Sequence, residues 1–207
     1  MAPRFDIKGD IGVGKACADA LGEFLRTHPE PVFLHINSGG GDAAEGAALM
    51  AEVERHGKVT AVVQGIAASA ATLPVVGAQT IIMHPAATFM IHEPWVMAGG
   101  TGDGHRAIAD TLDKMTLTYA RAYARSTGHS VNRIAAWMKQ ETWLTAEEAL
   151  ELNFCDQIEV PSGAPKMVAA FDYSKFRAAP AELLRLTAQN GWANASTNQN
   201  EMEKQNA

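Results

Sequence analysis

Apolar and polar residues alternate from Phe5 to Ile11, the period-two pattern of a half-buried strand, and Gly12 ends the run. Val13, Cys17, Leu21, Phe24 and Leu25 then recur at helical spacing, and His28-Pro29-Glu30-Pro31 stops that helix. Val32 to Ile36 reads as a short strand closed by a loop, Asn37-Ser38-Gly39-Gly40-Gly41. An alanine-rich helix follows over Ala43–Arg55, with Gly57 as its stop. Val59–Val63 predicts the next strand, turning at Gly65, and the small residues from Ala67 to Val76 predict a buried helix. Thr80–Met83 and Ala87–Ile91 are further strands. Alternation of strand and helix argues for an α/β fold with largely parallel strands. In such folds sites gather beyond the carboxyl ends of strands, here the loop after Ile36 and the turn after Val63.

Gly99-Gly100-Thr101-Gly102 makes a flexible link into a long helix, about Asp103 to Ser126, with Ile108, Leu112, Met115, Tyr119 and Tyr123 on one side. A helix of that length, late in a domain whose core is already assigned, is expected to project from the body. Val131–Lys139 is a second amphipathic helix. Thr145-Ala146-Glu147-Glu148 is a capping box, and Gln157–Val160 reads as a last strand. Beyond Pro161 the pattern decays. Phe171–Leu186 fits one helix, and Gly191–Ala207 is an Asn-, Gln- and Ser-rich tail of the kind that stays disordered or binds a partner.

The 207 residues suffice for one sizeable domain, and 47% hydrophobic with 19% charged is an ordinary globular composition. The net charge of −6 and the absence of a basic stripe speak against a nucleic-acid surface. No apolar run of about 18 residues predicts a membrane span, and Met1–Asp10 has no apolar segment of a secretory signal. Cys17 and Cys155 sit at no metal-binding or redox spacing, which fits reduced thiols in a cytoplasmic protein.

Three short segments carry candidate chemistry. In Gly65-Ile66-Ala67-Ala68-Ser69-Ala70-Ala71 a serine among small residues stands between a strand and a helix start. Unpaired N–H groups there suit a developing oxyanion, although a plain helix-capping serine looks the same. In Met90-Ile91-His92-Glu93-Pro94-Trp95 a histidine ends an apolar strand, as a general base or as a core histidine. The three glycines Gly39–Gly41 can turn backbone N–H groups toward a ligand, and no Walker lysine follows them.

Taken together and in order, these segments resemble the Clp protease proteolytic subunit (ClpP) family, most of all its phage- and prophage-borne head maturation protease branch, from about Phe5 to Val160. Ile36–Gly41 is similar to that family's I-N-S-P-G-G loop, Gly65–Ala70 to its G-x-A-A-S-x turn, and Met90–Pro94 to its M-I-H-x-P motif. Thr127-Gly128-His129-Ser130 is similar to its T-G-x-S turn, and Trp143–Ala149 to the segment that follows its acidic triad member.

The resemblance implies an α/β fold of the ClpP/crotonase type, a spiral of βαβ units with a projecting handle helix. It divides the chain into a serine peptidase domain, 1–160, and a C-terminal extension, 161–207. It implies Ser69 as nucleophile, His92 as general base and acid, and Glu141 in place of the triad aspartate. The oxyanion hole would be the N–H groups of Ala70 and of Gly40 or Gly41.

Three positions depart from the pattern. Glu141 is one methylene longer than aspartate, Gly39 replaces a proline, which loosens its loop, and Asn153 stands where a glycine is expected. The resemblance further implies peptide or protein substrates, capsid or scaffold proteins among them, a homo-oligomeric ring of one or two heptamers, a cytoplasmic location, and no metal or organic cofactor. The short segment before the first strand leads to the expectation that the usual unfoldase ATPase is not required. Two other classes remain open: an acyl-CoA hydratase or isomerase of the crotonase group, which needs no Ser–His pair, and a ring-forming assembly factor with a degenerate site.

Overall fold

The computed structural model describes residues 2–159 and 171–194. Val160, the start of the predicted extension (161–170), and most of the polar tail (195–207) lie outside the described residues. Strand β1 (Arg4–Ile11) leads to helix α1 (Ala18–Thr27), β2 (Val32–Gly41), α2 (Ala43–His56) and β3 (Val59–Ala68). A 3₁₀ turn at Ser69–Ala71 runs into α3 (Thr72–Val76), then β4 (Thr80–Met83) and β5 (Thr88–Ile91). After an irregular stretch come α4 (Gly102–Thr127), α5 (Val131–Gln140), β6 (Thr142–Thr145), α6 (Ala146–Glu151) and β7 (Gln157–Ile158). The C-terminal part adds a 3₁₀ turn (Tyr173–Lys175) and α7 (Ala181–Asn190).

The sheet runs β1-β2-β3-β4-β7, all parallel. Strand β3 is long enough to serve two neighbours in succession. Thr60–Val63 pair with β4, whereas Ile66–Ala68 pair with β5. Strand β6 then pairs antiparallel with β5. The sheet thus divides along β3, and the outer branch carries the chemistry-bearing ends.

Several expected boundaries move, each for a physical reason. Helix α1 begins at Ala18 rather than at Val13, which is 51% exposed. Gly12 and Gly14, both at positive φ, fold the intervening residues into a turn closed by Gly12 N–H on the Ala16 carbonyl. The loop expected at Asn37–Gly41 is an extension of β2. Gly40 and Gly41 pair with Asp10 and Ile11 of β1, and Ser38 pairs with Ala67 of β3, across irregularities in both ladders. Strand β3 likewise passes Gly65 without turning and stops only at Ser69. The helix expected over Phe171–Leu186 is a 3₁₀ turn and a separate helix, because Pro180 stands at the start of α7.

Other expectations hold in detail. Helix α2 ends on Gly57 at positive φ, α4 runs from a Thr101 cap to Gly128, and Thr145 with Glu148 forms the capping box. Asn153 adopts a positive φ of 59°, a conformation asparagine tolerates better than most residues, and its side-chain amide donates to the Thr127 carbonyl. That accounts for an asparagine where a glycine was expected.

Two groups of buried side chains form the interior. The larger packs α1, α2, α3 and the inner ends of α4 and α5 on the sheet. The smaller joins Ile66, Ala68 and Met90 of β3 and β5 to Tyr173, Phe176 and Leu183 of the C-terminal part. Among the described residues no helix is long and apolar enough to cross a membrane, and no cluster of side chains could hold a metal ion.

Candidate active site

Register places the three candidate residues side by side. In the parallel pair β3–β5, Ala68 lies opposite Met90, so the next residues along, Ser69 and then Ile91 and His92, emerge at the same end. In the antiparallel pair β5–β6, Ile91 lies opposite Thr142, so the residue before β6, Glu141, arrives beside His92. Ser69 Oγ and His92 Nε2 are 2.6 Å apart.

Only Ser69, Glu141 and Asn153 among the described non-glycine residues have positive φ, 55°, 57° and 59° respectively. Two of the three are candidate site residues. A side chain held in this region costs about 1–3 kcal/mol, which the surrounding structure must supply. At Ser69 it comes from β3 on one side and the 3₁₀ turn on the other. Thr72 Oγ1 donates to the Ser69 carbonyl at 2.5 Å and is itself bonded to the Tyr123 hydroxyl at 2.6 Å. Helix α2 presses from behind: a Cβ on Gly46 would lie 2.6 Å from the Ala70 carbonyl oxygen.

The glycine segment stands directly against the serine. A Cβ on Gly40 would fall 2.7 Å from Ser69 Cβ, so only glycine permits this approach. The segment is fixed by Ser38, fully buried, whose hydroxyl donates to the Gly9 carbonyl at 2.6 Å and accepts from Gly40 N–H at 3.2 Å. Asn37 Oδ1 accepts from Ile66 N–H, tying β2 to β3 next to the site.

Burial holds the His92 pKa below the ordinary histidine value, and the nearby Glu141 charge opposes that shift. The imidazole is therefore neutral near pH 7, as an acceptor of the serine proton must be. Its ring meets Phe176 edge-on, with centroids 5.5 Å apart. Glu141 is buried, but no hydrogen bond joins it to His92. Its Oε2 accepts from Arg177 N–H at 2.9 Å. Its Oε1 accepts from Ala178 N–H at 2.5 Å and from the Trp143 indole at 3.2 Å. Sequence reasoning places Glu141 at the site but misses where its carboxylate points.

A cleft of about 840 Å³ opens over Ser69 and His92. Its walls are Gly39 and Gly41, Trp95–Met97, Ile108 and Leu112 of α4, and Phe171, Lys175 and Phe176 from the C-terminal part. The last three were not foreseen. The only sequence signal for them is the aromatic spacing Phe171, Tyr173, Phe176 in a stretch otherwise without periodicity.

Comparison with known proteins points to one family. The family model described as Clp protease matches residues 23–161. ATP-dependent Clp protease proteolytic subunits of Streptococcus pneumoniae strains Hungary19A-6 and CGSP14 are each 32% identical over 135 residues, 61% of this chain and 67% of the relative. Among solved structures, a mutant ClpP1 from Listeria monocytogenes superposes with a TM-score of 0.67 at 24% identity. It covers 77% of this chain and 92% of that one, which shows a shared fold.

Proposed function

Because the chain belongs to the Clp protease family, we propose that it is a serine endopeptidase with Ser69 as nucleophile and His92 as general base and acid. The observation that carries the reading is the 2.6 Å approach of Ser69 Oγ to His92 Nε2 at the floor of the cleft. Ser69 attacks the peptide carbonyl while its proton passes to His92 Nε2. The oxyanion forms against the N–H of Ala70 and that of Gly41, the Gly40 N–H being engaged by Ser38 Oγ. Collapse breaks the C–N bond, and His92 returns the proton to the leaving amine. Water, deprotonated by His92, then releases the acyl group from Ser69. No metal or organic cofactor takes part in this sequence, and the hydrolysis consumes no nucleotide.

The substrates we propose are proteins, capsid or scaffold proteins of a phage in particular. That reading rests on the Gln140-Glu141-Thr142-Trp143 variant of the acidic segment. The functional unit we propose is a homo-oligomeric ring that encloses the cleft.

A fluorophosphonate probe followed by peptide mass mapping tests the nucleophile. A single adduct on Ser69, lost in Ser69→Ala and much slowed in His92→Ala, is the expected result. A folded protein with no adduct at Ser69 would favour the ring-forming assembly factor. Incubation with purified procapsid shells and scaffold protein tests the substrate, and intact shells and scaffold after labelling-competent enzyme is added would overturn that part.

A further inference from the structure

Two of the site positions at which this chain departs from the family motifs, Gly39 and Glu141, both face the C-terminal segment. A Cβ on Gly39 would collide with the ring of Phe171, so the absence of a side chain there is what lets this ring lie on the glycine strand. Glu141, longer than aspartate by one methylene, reaches the backbone N–H groups of Arg177 and Ala178.

The segment between these points is built to stay in place. Phe171 and Phe176 stack with centroids 5.6 Å apart, Phe176 also meets Trp143 edge-on, and Tyr173 is fully buried. Tyr173 N–H donates to Thr187 Oγ1 of α7, and the Arg177 guanidinium donates to the Lys139 carbonyl at the end of α5. With three donors on its two oxygens, the Glu141 carboxylate is satisfied without His92. Turning it toward His92 means breaking those bonds.

We infer that Phe171–Ala178 is an intramolecular latch. It holds Glu141 on the amides of Arg177 and Ala178 and covers the cleft at Gly39. Its release lets Glu141 turn to His92 and complete the acid member of the site. The inference rests on the proposed peptidase reading for its consequence in activity, and on geometry alone for the position of Glu141. In the latched state Ser69 and His92 act as a pair with no carboxylate on the imidazole. In the released state the carboxylate orients the ring, a role worth up to about 10⁴ in turnover in the serine-triad template.

The test replaces both donors by proline, which has no N–H, in an Arg177→Pro/Ala178→Pro double variant of the full chain. A second variant, Phe171→Ala/Phe176→Ala, loosens the segment while leaving every amide in place. Both are read two ways: the rate of fluorophosphonate labelling at Ser69, and the histidine Nδ1 proton region of the NMR spectrum.

The expected result is labelling faster by about tenfold or more in both variants, with a new far-downfield Nδ1 proton from an imidazole bonded to carboxylate. Unchanged or slower labelling without that resonance in a folded variant overturns the latch and leaves the peptidase reading standing. Appearance of the resonance with no labelling in any form supports the latch and overturns the peptidase. Circular dichroism identifies a variant that has lost its fold, and the other variant then decides.

Discussion

Ser69 keeps its position against its own backbone preference. With φ at 55°, an alanine there carries the same conformational cost as the serine, whereas a glycine carries none. Ser69→Gly is therefore expected to be more stable than Ser69→Ala by about 1 kcal/mol, read from urea midpoints. Equal stability would show that the surrounding bonds, not the residue, dictate this turn.

His92 yields a pH prediction with a definite sign. Its folded pKa lies below the ordinary 6.5, chiefly through burial, so the unfolded chain binds its proton first as pH falls. The histidine's neutral burial costs nothing above that value, and stability is lost as pH falls through it toward the folded pKa. The acid limb of the labelling rate at Ser69 should accordingly fall below pH 6.5. The charged groups that line the clefts shared with the imidazole are Asp10, Asp42, Glu93, Lys139, Glu141, Lys175 and Arg177. Of these Glu141 is the one whose charge raises the His92 value, so Glu141→Gln should move the limb lower still. A limb that moved up instead would mean that the carboxylate's main effect is to keep the C-terminal segment, and its exclusion of water, over the ring.

At the scale of elements, Ser69 is set by helix packing as much as by its own strand. Helix α2 approaches the Ser69–Ala71 turn through Gly46, and an added Cβ would meet both the Ala70 carbonyl and, at 3.0 Å, the Ala70 Cβ. Gly46→Ala is expected to cost about 1–3 kcal/mol as overpacking, against the small gain alanine normally brings to a helix. Because the strain lands on the residue after Ser69, labelling should slow as well. A variant that gained stability and labelled normally would show that α2 can retreat freely. Farther away, the Thr145–Glu148 box is purely a helix start, and Thr145→Ala should lower stability by about 1 kcal/mol.

The same elements show how far the sequence carries. Strand and helix positions were legible from period and caps, whereas Ser69 and His92 stood out only through the set of motifs that resembles the Clp protease family, not through position alone. What was not legible is non-local. Asn37–Gly41 has the composition of a loop, and only pairing with β1 and β3 on both sides draws it straight. The course of 171–178 depends on buried surface offered by β3, β5 and Trp143, which no window of that segment contains.

For the whole molecule, the distribution of apolar surface bears on assembly. Helix α4 is 26 residues long, and its buried positions, Tyr119, Ala120, Ala122, Tyr123 and Thr127, all lie in its last third. The outer part leaves Leu117 44% exposed, and the adjoining irregular stretch exposes Trp95, Val96 and Met97 at 56%, 54% and 86%. Large apolar side chains left exposed in a cluster are the usual signature of an interface. Trp95, Val96 and Met97 form one wall of the cleft over Ser69, so an assembly that covers them also encloses the site. Sedimentation of the full chain should give a species several times the 22.1 kDa of one chain. Met97→Glu and Leu117→Glu should each shift the population toward smaller species, since burying an unpaired carboxylate opposes association. Secondary structure should be retained, because neither side chain contributes to the core. If the chain sediments as a monomer at every concentration while labelling at Ser69 proceeds, the enclosed ring is not the active form, and the cleft admits substrate directly from solution.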